Sequence, residues 1–317
     1  MRVLVTGGAG FIGRHLVQSL VRRGDTVAVV GRRRREALPE GALPAGVAYH
    51  TADLGEADAA GRLLAELRPE VVFHLASAVD VARDLAHLEA QVRSTQMAAV
   101  HVARACLVQG VGRLVHVGTC EEYGNGPAPF RESQDPAPVS PYSAAKAAAT
   151  AFVRMLCSAF GLRAVVVRPF LTYGPGQTAA LLVPALIQSA LAGRDFPMTG
   201  GEQTREFNYV DDIVAGLLRC AEADGVEGLV LNLGCAEPRR IRDVAALVLD
   251  LMGNPVRAEL GKLPYRPGET WEFYCDNTRA RQLLGWSPQV ALEEGLRRTI
   301  AWYRARPLGG AGMSGSS

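Results

Sequence analysis

The chain has 317 residues, with 34 Lys and Arg against 32 Asp and Glu, a formal net charge of +2, and 48% hydrophobic residues. At ~150 residues per domain this is about two domain lengths, and the composition excludes a largely disordered chain. A near-neutral charge gives no support for nucleic-acid or membrane-surface binding, although Arg32 to Arg35 form a run of four arginines.

The first half alternates short apolar strands with amphipathic helices. Val3 to Thr6 is a β-branched run that stops at Gly7, and Phe11 to Arg23 has helical spacing with Gly24 just past its end. Further strands are predicted at Thr26–Val30, Val47–Thr51, Glu70–Leu75, Arg113–Val117 and Ala164–Arg168. Helices are predicted at Ala57–Leu67, Leu88–Gln109 and Ser143–Phe160. This pattern predicts βαβ units and a parallel sheet covered on both faces. The second half carries many prolines; it predicts one more strand at Leu229–Leu233 and helices at Ile241–Met252 and Leu292–Tyr303. The tail from Gly309 is Gly/Ser-rich, so disorder is expected over 307–317.

The six cysteines, Cys106, Cys120, Cys157, Cys220, Cys235 and Cys275, form no CxxC pair or Cys/His cluster. They read as small core residues in a reducing compartment, with no metal expected. The start MRVLVTGG has no signal-peptide core and is too short to span a membrane, so a cytoplasmic protein is expected.

The segment Gly7-Gly8-Ala9-Gly10-Phe11-Ile12-Gly13 lies between the first strand and the first helix. Glycines let the backbone turn sharply and approach a pyrophosphate, and the helix start offers free N–H groups and a positive dipole end. A GxGxxG string is weak alone, but this position supplies the context it needs. Gly7, Gly10, Phe11, Ile12 and Gly13 are therefore predicted to bind a dinucleotide. The implied fold class is α/β: a Rossmann-type doubly wound parallel sheet over residues 1–170, rejoined by about 209–235. A smaller mixed α/β substrate lobe takes 171–208 and 236–306.

An NAD-preferring fold usually ends its second strand in an acid that holds the ribose 2′-OH. Here that strand runs into Gly31-Arg32-Arg33, with no carboxylate. Arg32, with Arg33 beside it, suits a 2′-phosphate, which favours NADP over NAD; a solvated basic loop is the alternative. Asp53 follows the third strand, where a carboxylate can bond the adenine amino group, or simply start a helix.

Tyr142 and Lys146 stand at i and i+4 of one helix. A neighbouring ammonium stabilises phenolate, so Lys146 is expected to lower the Tyr142 pKa. Thr119, just past the fifth strand, is placed to bond a substrate oxygen. The three make a hydroxyl/ketone redox site: Tyr142 moves the proton, and Lys146 tunes it and holds the nicotinamide ribose.

At this point the sequence resembles the extended short-chain dehydrogenases/reductases of the nucleotide-sugar epimerase/dehydratase type. The strings that carry this are TGGAGFIG (Thr6–Gly13), HLAS (His74–Ser77), GTCEEYG (Gly118–Gly124), YSAAK (Tyr142–Lys146) and RPFLTYGPGQ (Arg168–Gln177). TREFNYVDD (Thr204–Asp212), NLG (Asn232–Gly234), RPGE (Arg266–Glu269) and LGWSPQVALEEGLRRTIAWY (Leu284–Tyr303) follow in family order. The resemblance implies cofactor contacts at Leu54, Leu75, Ala76 and Pro169. It implies a nucleoside-diphosphate sugar between the lobes, its diphosphate held by Arg205 and Arg266. Thr119, Cys120 and Glu121 would meet the sugar, with Gln203 and the loop around Asn208 helping to position it. It also implies a homodimer built on helices 88–109 and 143–160.

Three departures bear on the reaction. Family dehydratases carry Asp-Glu after the catalytic threonine; this chain has Cys120-Glu121, so the acid for water loss is missing although Glu121 remains. Leu171 stands where many members have Asn, and the Asn usual in the long helix falls near Thr95. The leading expectation is therefore an NADPH-dependent reductase of a nucleotide-linked 4-keto-6-deoxysugar. An NAD-dependent 4-epimerase comes next, then a 4,6-dehydratase. A non-catalytic NADP-binding regulator would have no use for Thr119, Tyr142 and Lys146.

Overall fold

The computed structural model describes residues 1–39, 41–80 and 82–306; the predicted disordered tail lies outside them. Seven strands form one parallel sheet: β1 (Arg2–Thr6), β2 (Thr26–Gly31), β3 (Ala48–Thr51), β4 (Val71–His74), β5 (Arg113–Val117), β6 (Ala164–Pro169) and β7 (Val230–Leu233). Their order is β3-β2-β1-β4-β5-β6-β7. Thr6 pairs with His74, His74 with His116 and His116 with Val166, so the carboxyl ends of the central strands lie level. The strand order reverses between β1 and β4, where a doubly wound sheet opens a crevice for ligands.

Alternation along the strands explains the two covered faces. Val3, Val5, Phe73, Val115 and Val165 point to one face with Leu16 and Leu20 of α1 (Phe11–Arg22) and Ile213 and Leu217 of α7 (Val210–Glu222). Leu4, Val72, Leu114 and Val166 point to the other. That face meets α2 (Ala59–Leu67), α4 (Ala98–Val108) and α5 (Pro141–Phe160) through Leu64, Val102 and Val153.

The long helix expected at 88–109 is not continuous. A short α3 (Leu88–Gln91) passes into a π-helical turn, Val92–Met97, before α4. Thr95, in this turn, is buried and donates to Gln91 Oε1 at 2.9 Å, while Gln91 Nε2 donates to the Ala78 carbonyl at 2.7 Å. The wider turn lets both side chains face inward over the cleft loop.

Three helices escaped the sequence pattern: α6 (Leu182–Leu191), α7 and α9 (Thr278–Leu284). Pro184 sits in the first turn of α6, where a missing N–H costs nothing. The remaining helices, α8 (Ile241–Met252) and α10 (Leu292–Arg304), stand where expected and pack with α6. Thr204–Arg205 pairs with Arg239–Arg240 on one side and Glu272–Phe273 on the other. An aromatic cluster of Tyr123, Phe130, Phe170 and Phe273 joins this small sheet to the ends of the main one. Among the described residues no helix is long and apolar enough to cross a membrane, and no His/Cys/Asp/Glu group has metal-site geometry.

Candidate active site

A cleft of ≈ 1440 Å³ opens over the carboxyl ends of the central strands. Gly7, Gly10, Phe11, Ile12, Gly13, Arg32, Arg33, Asp53, Leu54, Leu75, Ala76 and Pro169 all line it, and so do Thr119, Cys120, Glu121, Tyr142, Lys146, Arg205 and Arg266. Gln203 and Asn208 do not. Gln203 is buried, its amide on Thr199 at 3.4 Å. Asn208 is also buried; it accepts from Cys235 N at 2.7 Å and donates to the Leu171 carbonyl at 3.2 Å, so it serves as loop structure.

The phosphate end fits a dinucleotide on geometric grounds. Gly10 caps α1 with no side chain of its own, leaving the N–H groups of Phe11, Ile12 and Gly13 without intrahelical acceptors. A Cβ on Gly13 would stand 2.3 Å from the Gly7 carbonyl oxygen, so only glycine permits this close turn. At the adenosine end, Asp53 already accepts from Gly55 N at 2.9 Å and from Arg93 at 3.0 Å, which makes it a turn and ion-pair residue as well as a cleft wall.

Thr119, Tyr142 and Lys146 meet where β5 and α5 converge. Pro141 at the start of α5 and the Ser140–Ser143 capping box fix the helix entry, which turns Tyr142 and Lys146 inward. All three side chains are largely buried. Burial raises the Tyr142 pKa, while hydrogen bonding to Thr119 and Ser77 pulls it back. Lys146, expected from spacing to lower it, is not among the groups that act on it most. Its Nζ donates to the Val117 carbonyl at 2.7 Å instead, and burial lowers its own pKa to about 8 against the support of Glu122. The i, i+4 spacing fixes a shared face, but the choice of partner is made by β5.

Behind Thr119 lies a buried ion pair absent from the sequence reading. Glu122 Oε2 accepts from Arg168 Nε at 3.0 Å and Nη2 at 2.8 Å, and its Oε1 accepts from Thr119 N at 2.9 Å. The pair therefore ties β6 to the loop that presents Thr119. His74 and His116 stack below at 5.4 Å and are held neutral by burial, the former near a pKa of about 3.

Next to Thr119, whose hydroxyl accepts from Glu121 N at 3.3 Å, the Glu121 carboxyl is raised in pKa by burial and opposed by the charges of Arg205, Arg83 and Arg266. Arg205 donates to Glu269 at 2.7 Å, so the loop that carries Arg266 is joined to the small sheet. Arg266 itself is exposed. Three arginines against the two carboxylates of Glu121 and Glu269 leave this mouth cationic, suited to an anionic ligand.

Residues 3–234 match the model described as NAD dependent epimerase/dehydratase family. The chain belongs to that family. It is 34% identical over 313 residues to a UDP-glucose 4-epimerase of Mycolicibacterium smegmatis, covering 96% of this chain and 99% of that one. It is 31% identical over 336 residues to dTDP-glucose 4,6-dehydratase 1 of Escherichia coli, covering 96% and 92%. Among solved structures it resembles UDP-glucuronic acid 4-epimerase from Bacillus cereus in complex with UDP-glucuronic acid and NAD. The TM-score there is 0.87 at 27% identity, over 96% of this chain and 99% of that one.

As a member of this family the chain is an oxidoreductase of the extended short-chain dehydrogenase type, with the expected doubly wound sheet. Several cleft residues carried too little signal to single out from sequence. Ser77 closes the HLAS string and Glu269 the RPGE string, and both could have been found there; Arg83 and Tyr49 sit in stretches with no spacing rule of their own.

Proposed function

We propose that this protein moves a hydride at a carbinol or ketone carbon of a nucleoside-diphosphate hexose, at C4. The observation that carries this is the convergence of Thr119, Tyr142 and Lys146 at one end of a cleft whose other walls are the phosphate loop and the Arg205/Arg266 mouth. A dinucleotide would be held by Gly7, Gly10 and the amides of Phe11, Ile12 and Gly13, and would supply or accept the hydride there. Tyr142 transfers the proton at the sugar oxygen, with Thr119 bonding that oxygen and orienting it. Lys146 keeps a positive charge beneath Tyr142, and its anchor on Val117 sets its position. Arg205 and Arg266 hold the diphosphate, placing the hexose inward. Cys120 beside Glu121 leaves the site without the acid that would expel water, which disfavours elimination.

Two outcomes follow from one geometry. Net reduction of a 4-keto-6-deoxysugar is favoured by the adenosine end, where Gly31, Arg32 and Arg33 suit NADPH. 4-Epimerisation is equally supported by the relatives. Purified protein with a panel of UDP-, dTDP- and CDP-linked 4-keto sugars and hexoses decides between them. Oxidation of one NADPH per sugar, read at the nicotinamide absorbance, is the expected result. Turnover with no net absorbance change makes the protein an epimerase if the product is an isomer of the substrate, and a dehydratase if water has been lost.

The same reading assigns residues 171–208 and 236–306 to the sugar nucleotide and the remainder to the dinucleotide. It places the protein in the cytoplasm. A homodimer fits the exposed apolar residues Leu88, Val92, Phe152 and Met155 on α3, the π turn and α5, elements that pack together.

A further inference from the structure

The end of β2 is closed by a residue of β3. An ideal Cβ on Gly31 would stand 2.6 Å from the hydroxyl oxygen of Tyr49, so a side chain at position 31 requires that phenol to move. Position 31 is the strand end at which an acid would otherwise hold the adenosine ribose. The same hydroxyl donates to the Arg33 carbonyl at 2.7 Å. Two more bonds stitch the following loop to the β3 region: Ala52 N donates to the Gly31 carbonyl at 3.0 Å, and Arg35 Nη1 donates to the Val47 carbonyl at 2.9 Å. The guanidinium groups of Arg32 and Arg33 have no hydrogen-bond or ion-pair partner among the described residues, and both line the cleft with Tyr49.

We infer that Tyr49 is the positioning residue for dinucleotide choice, acting as a latch that excludes a ribose-binding acid and presets Arg32 and Arg33 for a 2′-phosphate. The inference rests on the NADP reading above and extends it to a residue outside the arginine run. Its physical basis has two parts. Glycine at position 31 sets no anion beside a 2′-phosphate, and the Tyr49 hydroxyl occupies the space that a side chain there would enter. The Tyr49–Arg33 bond fixes backbone that would otherwise have to be ordered on binding, which raises affinity without a new ligand contact. The arginine forks then meet the phosphate directly.

The test is calorimetric titration of the full chain with adenosine 2′,5′-bisphosphate and with 5′-AMP, two probes that differ only in the 2′-phosphate. Wild-type protein is expected to prefer the bisphosphate by at least tenfold. Tyr49→Phe keeps the ring and loses the latch, so the preference should fall at least threefold with 5′-AMP affinity unchanged. Gly31→Asp combined with Tyr49→Ala makes room for an acid and should reverse the preference. No preference in the wild type overturns the NADP reading and the latch with it. A wild-type preference that survives in folded Tyr49→Phe, checked by thermal melting, overturns the latch alone.

Discussion

Lys146 Nζ donates to the main-chain carbonyl of Val117 at 2.7 Å, two residues before Thr119 on the same strand exit. This bond fixes a buried ammonium that lines the cleft with Tyr142. Burial brings the Lys146 pKa down to about 8 from 10.5. Between those values the unfolded chain binds more protons than the folded one, so this residue's contribution to stability rises with pH across that window. Activity should move the opposite way. With the ammonium required, kcat/KM is expected to fall as pH rises through about 8. Lys146→Arg, which stays charged, should lose that alkaline limb while retaining weak activity. A pH–rate profile of both proteins checks this.

Lys146→Met should separate stability from function. A buried charge is removed, so stability at pH 7 should increase by about 1 kcal/mol or more, read by urea unfolding. Turnover should vanish in the same variant.

Tyr142→Phe tests the proton step. Loss of a positioned acid–base group costs roughly 10²–10⁴ in kcat. Dinucleotide affinity should change less than about twofold, because the buried ring is kept and only its hydroxyl is lost. Calorimetric titration with NADPH alongside steady-state kinetics gives both numbers.

The Glu122–Arg168 pair is fully buried, with Arg168 also 4.4 Å above the Tyr123 ring. Arg168→Met leaves Glu122 as an uncompensated buried carboxylate and should destabilise by about 3–5 kcal/mol. The double variant Arg168→Met/Glu122→Gln should recover part of that loss. Both should lower kcat, because Glu122 also anchors the Thr119 amide. Denaturant unfolding of the cycle measures the coupling.

Arg266→Ala tests the anionic mouth. Because Arg266 is exposed and lines the cleft where its charge acts on Glu121, its loss should raise KM for the sugar nucleotide about tenfold. NADPH affinity and melting temperature should be unchanged. An equal loss for both ligands would place Arg266 elsewhere in the binding scheme.

The strand–helix alternation, the glycine loop and the YxxxK spacing were readable because each depends on neighbours within a few residues of chain. The continuous apolar runs of β1, β4 and β5, buried on both faces, and the requirement for glycine at Gly13, are local constraints written directly into residue order. The prolines of the second half misled for the same reason. Pro184 looks like a breaker in sequence and is harmless in the first turn of α6.

What sequence by itself determined was the sheet, the direction of its strands and the family of residues at their carboxyl ends. Only tertiary structure decided how those residues are wired. Lys146 finds Val117 and not Tyr142, Glu122 finds Arg168 across the sheet end, and Tyr49 reaches from β3 to fill the space beside Gly31. Each of these contacts spans a long stretch of chain and depends on sub-ångström placement in a buried, low-dielectric setting, where one hydrogen bond sets charge, rotamer and ligand choice together.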